Sequence, residues 1–272
     1  MTGFALGQYY PGQSLLHRLD PRAKMISSVL FIVCTFLCKN ADAYLLLLAV
    51  TLLLLAVSTI PLRIVWRGIK PVIFILLFTV IINVFFTNGD VLLVSWRFIH
   101  IYKEGLSNAV YMGIRILVLI VGTCLFLTYT TTPIALTDAI EQLLKPLKVL
   151  RFPVHEFAMM MTIALRFIPT LMEETQKIMA AQKARGADFS QGNLFHRAKA
   201  LVPVLVPLFV SSFRRADELA TAMECRCYHG DKGRTRMNAL HWHAADFIFM
   251  LFICAVGAGV ILLNRFSVIG IG

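Results

Sequence analysis

Up to about residue 131 the chain alternates long uncharged runs with short basic stretches, and its apolar positions are continuous with no period. Continuous apolarity marks helices that meet hydrocarbon on every side. The runs cover 24–39, which is short, 43–62, with no charge in twenty residues, 71–89, and 105–130, broken by Arg115 alone; a last run covers 247–264. A bilayer-spanning helix needs about 20 mostly apolar residues. The pattern therefore predicts about five transmembrane helices, the first spanning only if its flanking Lys and Arg side chains reach to the interface. Segment 88–104 is apolar but interrupted by Asn88-Gly89, with Trp96, Phe98 and Tyr102 as interfacial aromatics, and reads as a short hairpin or re-entrant lid. Asp20-Pro21 reads as an N-cap and first-turn proline, so the first apolar run is expected as a retained helix, not a cleaved signal.

Between 131 and 245 the period becomes helical and the charge rises. One shorter helix opens at Thr132-Pro133. A second runs from near Pro153 to Gly186, with Phe157, Met160, Ala164, Leu165, Ile168, Leu171 and Met172 on its apolar face and Pro169 as a bending point. After a loop at 190–193, a third runs to about Tyr228 and contains Leu201 to Phe213, thirteen uncharged residues with Pro203 and Pro207. Thirteen residues cannot span, so this stretch is expected to lie along the inner membrane surface. The fold class that follows is an all-α polytopic membrane protein. It divides into a membrane domain over 1–130 with four spans, a cytoplasmic coupling domain over 131–245 with two long amphipathic arms, and a final span in 246–272.

Composition excludes the soluble alternatives: 58% of the 272 residues are hydrophobic and 15% charged, with a mean hydropathy of +0.75, against roughly 45–50% and about 25% in soluble domains. The net charge of +11 is mostly an orientation signal. Basic residues number three in 1–24, three in 61–70 and fifteen in 133–243, against four in the alternate connections, which places the N-terminus in the cytoplasm. The fifteen are interleaved with ten acidic residues, which argues against a nucleic-acid surface. Arg115 reads best as a snorkelling side chain hydrogen-bonded to a neighbouring carbonyl. The six cysteines form no disulfide framework, and Cys34 and Cys38 are small apolar residues one turn apart. A metalloenzyme using Cys225, Cys227, His229, His241 and His243 is disfavoured, because the spacing is not the usual C-x₂-C. No G-x-x-x-x-G-K-[ST] phosphate loop is present, and no residue pattern points to catalysis or to a cofactor bound by this chain.

The two arms end alike, in Ala184-Arg185-Gly186 and Cys225-Arg226-Cys227. An arginine in a last turn suits the helix dipole, which alone accounts for it. Small neighbours also let a guanidinium enter a partner's groove and meet carboxylates bidentately. Arg166, Pro169, Glu173, Glu218 and Glu224, with Glu174, Asp217, Arg214 and Arg215 among them, are candidates for holding the arms in register.

Several motifs in order carry a family resemblance: Gly7-Gln8-Tyr9 with Ser14-Leu15-Leu16-His17-Arg18-Leu19-Asp20-Pro21-Arg22, Thr131-Thr132-Pro133, Ala164-Leu165-Arg166-Phe167-Ile168-Pro169, and Ala184-Arg185-Gly186. The chain resembles the EcfT family, the transmembrane T component of energy-coupling factor vitamin transporters, in its shared-module form. The second signature departs from the family's Ala-Arg-Gly, keeping the arginine but not the glycine. The resemblance implies an ABC-type importer in a prokaryotic plasma membrane. Two ATPase subunits forming a heterodimer would hold ATP and Mg and receive Arg185 and Arg226, and interchangeable membrane S components would bind vitamins. It implies a non-catalytic coupling subunit. A T component dedicated to cobalt, nickel or biotin is the alternative within the family.

Overall fold

The computed structural model describes residues 9–87, 92–96, 99–150, 152–189, 193–230 and 240–266. Gly7-Gln8, Asn88-Gly89, Phe98 and the loop at 190–192 lie outside them. In chain order the elements are α1 (Leu15–Arg18), α2 (Pro21–Leu37), α3 (Ala41–Ser58), α4 (Leu62–Phe86), β1 (Leu92–Trp96), β2 (Ile99–Tyr102) and α5 (Lys103–Thr123), which continues as a π turn over Cys124–Thr128. They continue with α6 (Pro133–Leu143), a 3₁₀ turn over Lys145–Leu150, α7 (Val154–Ala184), α8 (Leu194–Cys225) and α9 (Ala244–Phe266). Contacts divide the chain into two units, one built from Gly7–Ala139 and Ala239–Gly272, the other around Ile140–Asn238.

Apart from the hairpin, the fold is all-α, and among the described residues four helices are long and apolar enough to cross a membrane: α3, α4, α5 with its π turn, and α9. The fifth expected span, α2, has 17 residues, about 25 Å, which falls short of a hydrocarbon core of about 30 Å. The third span is corrected. The basic stretch 61–70 is not a loop, because α4 starts at Leu62 and runs unbroken through Pro71 to Phe86. Proline removes one backbone donor, here freeing the Arg67 carbonyl, and crowds the preceding turn, which membrane helices tolerate where neighbouring groups or water take the freed carbonyl. The segment after α4 is the hairpin, with Val94 opposite Ile101 and Trp96 opposite Ile99.

The core of the first unit is a layer of buried residues from α2, α3, α5 and α9, among them Phe31, Leu47, Val118, Phe126, Ile253 and Val260. Small residues let these helices approach closely. A Cβ on Gly122 would fall 2.3 Å from the Phe31 ring, and one on Gly257 would fall 2.8 Å from Cys34 Sγ. Cys34 and Cys38 are free, buried and part of this packing.

Helix ends in this unit are bonded by neighbouring elements. Asp20 caps α2, its Oδ1 accepting from the Arg22 amide at 2.8 Å, and its carboxylate also takes Arg22 Nε at 3.0 Å and Nη2 at 2.7 Å. The Asp20 amide donates to Asp246 Oδ1 at 2.7 Å, and the His243 amide donates to Asp246 Oδ2 at 2.8 Å, which joins the start of α2 to the start of α9. Lys24, 1% exposed, donates to the carbonyls of Thr130 at 3.0 Å and His17 at 3.3 Å, within electrostatic reach of both carboxylates. Trp242 covers the Arg22 guanidinium at 4.7 Å. At the other end of the bundle Arg115 donates to the Cys38 carbonyl at 3.3 Å and to the Tyr44 hydroxyl at 2.8 Å, the carbonyl partner expected for it.

Replacing Asp246 strands the buried Asp20 amide, frees the His243 amide and removes one of the two carboxylates near buried Lys24. Asp246→Ala is expected to destabilise the chain by about 3–5 kcal/mol and Asp246→Asn by roughly half as much. Thermal unfolding of the purified chain in detergent measures both, and equal melting of all three proteins would contradict the assignment.

Candidate docking site on the paired arms

The second unit presents the two arms. α7 has 31 residues and α8 has 32, each about 45–50 Å long at a rise of about 1.5 Å per residue. Both contain prolines without interruption, Pro169 in α7 and Pro203 and Pro207 in α8.

Their contacts run in antiparallel order. Tyr228 Oη lies 3.4 Å from His155 Nε2, Glu174 meets Ser211 and Arg215, and Gln182 Nε2 reaches the Pro203 carbonyl at 3.5 Å. Between these points Ile163, Phe167 and Leu171 of α7 face Leu219, Ala220 and Met223 of α8 across an apolar seam. Antiparallel pairing sends the two C-termini in opposite directions. Arg226 is level with the first turns of α7, so the two signature arginines stand about 40 Å apart along the pair.

Both ends close through one hydrogen-bond pattern. At the end of α7 the Arg185 amide donates to Gln182 O at 3.1 Å, Gly186 to Lys183 O at 3.0 Å, and Ala187 back to Gln182 O at 3.0 Å. At the end of α8 the Arg226 amide donates to Met223 O at 3.1 Å, Cys227 to Glu224 O at 2.9 Å, and Tyr228 back to Met223 O at 3.1 Å. This is the Schellman closure, whose residue after the cap must adopt a left-handed conformation. Gly186 has φ +88°, and Cys227 has φ +55°. The cysteine thus stands where glycine stands in the first arm, in a conformation that costs a side-chain-bearing residue roughly 1–2 kcal/mol. Nothing lies within 4 Å of a Cβ built on Gly186, so its backbone angle is what calls for glycine there. Ala184, Arg185, Gly186, Cys225, Arg226 and Cys227 are all exposed.

The register contact is Glu174, which reading the sequence placed among several candidates without singling it out. Its carboxylate accepts from Arg215 Nη2 at 2.6 Å and from the Ser211 hydroxyl. Glu173, Glu218 and Glu224 are exposed and pair with no cation among the described residues, and Arg166 and Pro169 are likewise exposed. Helical spacing explains the difference. Glu174 lies three residues from Leu171 and seven from Phe167, on the stripe that faces α8, whereas Glu173 is turned about 100° away. Sequence reading also missed the anchor of the α8 end: His155 Nδ1 lies 3.1 Å from Glu141 Oε1, which links α6 to the first turn of α7 and through Tyr228 to the end of α8.

Leu201, Val202, Leu205, Val206, Phe209, Val210 and Phe213 remain 41–68% exposed on α8. Their spacing of three and four residues makes a continuous apolar stripe. Among the described residues no group of three or more His, Cys, Asp or Glu side chains is placed to hold a metal ion.

Residues 12–237 match the family model CbiQ, described as cobalt transport protein. The chain is 55% identical over 243 residues to the energy-coupling factor transporter transmembrane protein EcfT of Ruminiclostridium cellulolyticum, covering 89% of this chain and 90% of that one. It is 47% identical over 258 residues to the EcfT protein of Bacillus subtilis, covering 95% and 97%, and 48% identical over 270 residues to that of Thermosediminibacter oceani, covering 98% and 99%. With the family model matching residues 12–237 and these relatives, 47–55% identical, covering 89–98% of the chain, the chain belongs to the CbiQ/EcfT family of transporter transmembrane proteins.

Proposed function

We propose that this chain is the coupling subunit of an energy-coupling factor importer in a prokaryotic plasma membrane, with its N-terminus and arms in the cytoplasm. Arg185 enters a groove on one ATPase subunit and Arg226 enters the equivalent groove on the other. A vitamin-binding S component seats on the apolar stripe of α8. The ATPases hold ATP and Mg and carry out hydrolysis, and this chain transmits their closure to the S component. The observation that carries this reading is the recurrence of one closure, with one exposed arginine, at opposite ends of a single helix pair. Two like plugs about 40 Å apart fit two like receptors better than one continuous interface.

The chemistry at each end is simple. The closure satisfies the last carbonyls from the backbone itself, which leaves the guanidinium free to bind a carboxylate through two charge-assisted bonds. A component dedicated to one substrate such as cobalt, nickel or biotin is the second reading, and the description of the matched family model, cobalt transport protein, favours it. The relatives at 47–55% identity named for energy-coupling factors favour the shared form. Recovery of several different S components with this chain supports the shared form, and recovery of one only supports the dedicated form.

Arg185→Glu or Arg226→Glu is expected to weaken ATPase association at least tenfold, as loss of a charge-assisted pair plus repulsion requires, while the melting temperature of the membrane part stays unchanged. Co-purification and vesicle uptake measure this, and an intact complex with both reversals in place would refute the docking assignment. Val206→Glu with Phe209→Glu is expected to lose the S component from the purified complex and to retain both ATPases. At the left-handed position, Cys227→Gly is expected to raise hydrogen-exchange protection of the Tyr228 amide, and Cys227→Val to lower it several-fold together with ATPase binding.

A further inference from the structure

The basic stretch that proved to be helix rather than loop has a groove beside it. α4 has 25 residues, about 37 Å, which exceeds a hydrocarbon core of about 30 Å. The excess of about 7 Å puts its first turn at headgroup level, and long side chains on the second turn, which tilt toward the helix N-terminus, reach the same level by snorkelling. Those turns carry Arg63, Arg67 and Lys70, spaced four and three residues apart and so on one face. All three are exposed and have no partner among the described residues. No acidic residue occurs anywhere in α4, and the acidic residues of the flanking helices, Asp42 and Glu104, lie in the first turns of α3 and α5, away from this end of α4.

Alongside the stripe runs a cleft of about 560 Å³ between α3, α4 and α5. Leu48, Leu52 and Leu55 line one wall, Leu117 and Val121 the other, and Ile69 the third. Thr51 lines it too, but its hydroxyl is spent on the Leu47 carbonyl at 2.7 Å. Arg63 and Trp66 also border the cleft, and Trp66, 62% exposed, falls on α4 between the cationic face and the apolar one.

We propose that this is a binding site for an anionic phospholipid, with one acyl chain in the cleft and the phosphate on Arg63, Arg67 and Lys70. Charge complementarity selects the occupant. Three unpaired cations at headgroup depth attract a net negative headgroup and gain little from a zwitterionic one. Membrane orientation requires basic residues near this interface. It does not require them on one helical face, nor beside an apolar slot whose mouth holds an interfacial tryptophan.

The test uses the full chain with Trp96→Phe and Trp242→Phe, which leaves Trp66 as the fluorophore. The chain is reconstituted in phosphatidylcholine vesicles containing an equal fraction of either phosphatidylglycerol or phosphatidylcholine with brominated acyl chains. Brominated phosphatidylglycerol is expected to quench Trp66 at a several-fold lower mole fraction than brominated phosphatidylcholine. Arg63→Gln, Arg67→Gln and Lys70→Gln are each expected to reduce that preference up to about fivefold, and the triple variant to abolish it. Should the triple variant fail to insert, the single variants and the loss of preference at 0.5 M salt distinguish the same outcomes. Equal quenching by both lipids would mean that the cleft holds bulk lipid without headgroup selection, and would overturn the proposal. So would a preference that survives neutralisation, or a Trp66 that neither lipid quenches because protein fills the cleft.

Discussion

A helix leaves four amides and four carbonyls unbonded at its ends, and in a bilayer there is little water to take them. Most of the first unit follows from how this chain meets that requirement. Asp20 and Asp246 take the amides where α2 and α9 begin, and Lys24 takes a carbonyl just beyond the π turn that ends α5. Arg115 takes the carbonyl of Cys38 where α2 stops, Asn264 Nδ2 donates to Leu37 O at 2.7 Å, and Asn40 Nδ2 donates to Leu263 O at 3.4 Å. Four of these six bonds join different helices, so capping and tertiary structure are largely the same set of bonds. A short helix such as α2 can then sit in the bundle although it falls short of the hydrocarbon core, because its ends are bonded by protein.

The arms solve the same problem in the opposite way. In the second unit each arm end closes through backbone amides on its own last carbonyls. That economy is what leaves Arg185 and Arg226 exposed. An arginine is consumed where it serves a helix end, as half-buried Arg115 does at the end of α2, and is displayed where the backbone serves itself. Cys227 shows how strongly the closure is imposed, since the second arm adopts it with a residue that resists the left-handed angle.

Much of this was legible in the sequence. The apolar runs located α3, α5 and α9 closely, and Asp20-Pro21 and Thr132-Pro133 announced the helix starts the structure has, with the Ala135 amide donating to Thr132 Oγ1 at 3.3 Å. The expected carbonyl partner of Arg115 was right in kind. What could not be read was long-range. A basic stretch of ten residues reads as a loop by composition, and only continuous backbone bonding through Pro71 makes it the start of α4. Asp246 reads as an ordinary polar residue before a span, since its bond to the Asp20 amide joins positions far apart in sequence. Glu174 and Glu173 are adjacent and chemically identical, and only the direction of packing against α8 separates them.

That single glutamate has a role out of proportion to its energy. The Glu174–Arg215 pair is partly exposed, with side chains 21% and 33% accessible, and pairs of this kind contribute little to stability. The seam around it is apolar and would tolerate a slip by one turn, since ridges of similar side chains repeat along both helices. In an antiparallel pair such a slip moves the two C-termini directly toward or away from each other, by about 5.4 Å per turn. The spacing of Arg185 and Arg226 is therefore set by register, and register is what a polar contact inside an apolar seam can specify when packing alone does not. Glu174 bonds two side chains of α8, Ser211 and Arg215, that lie one turn apart. A carboxylate held by both of these side chains fixes axial position, and with it the distance between the two arm ends.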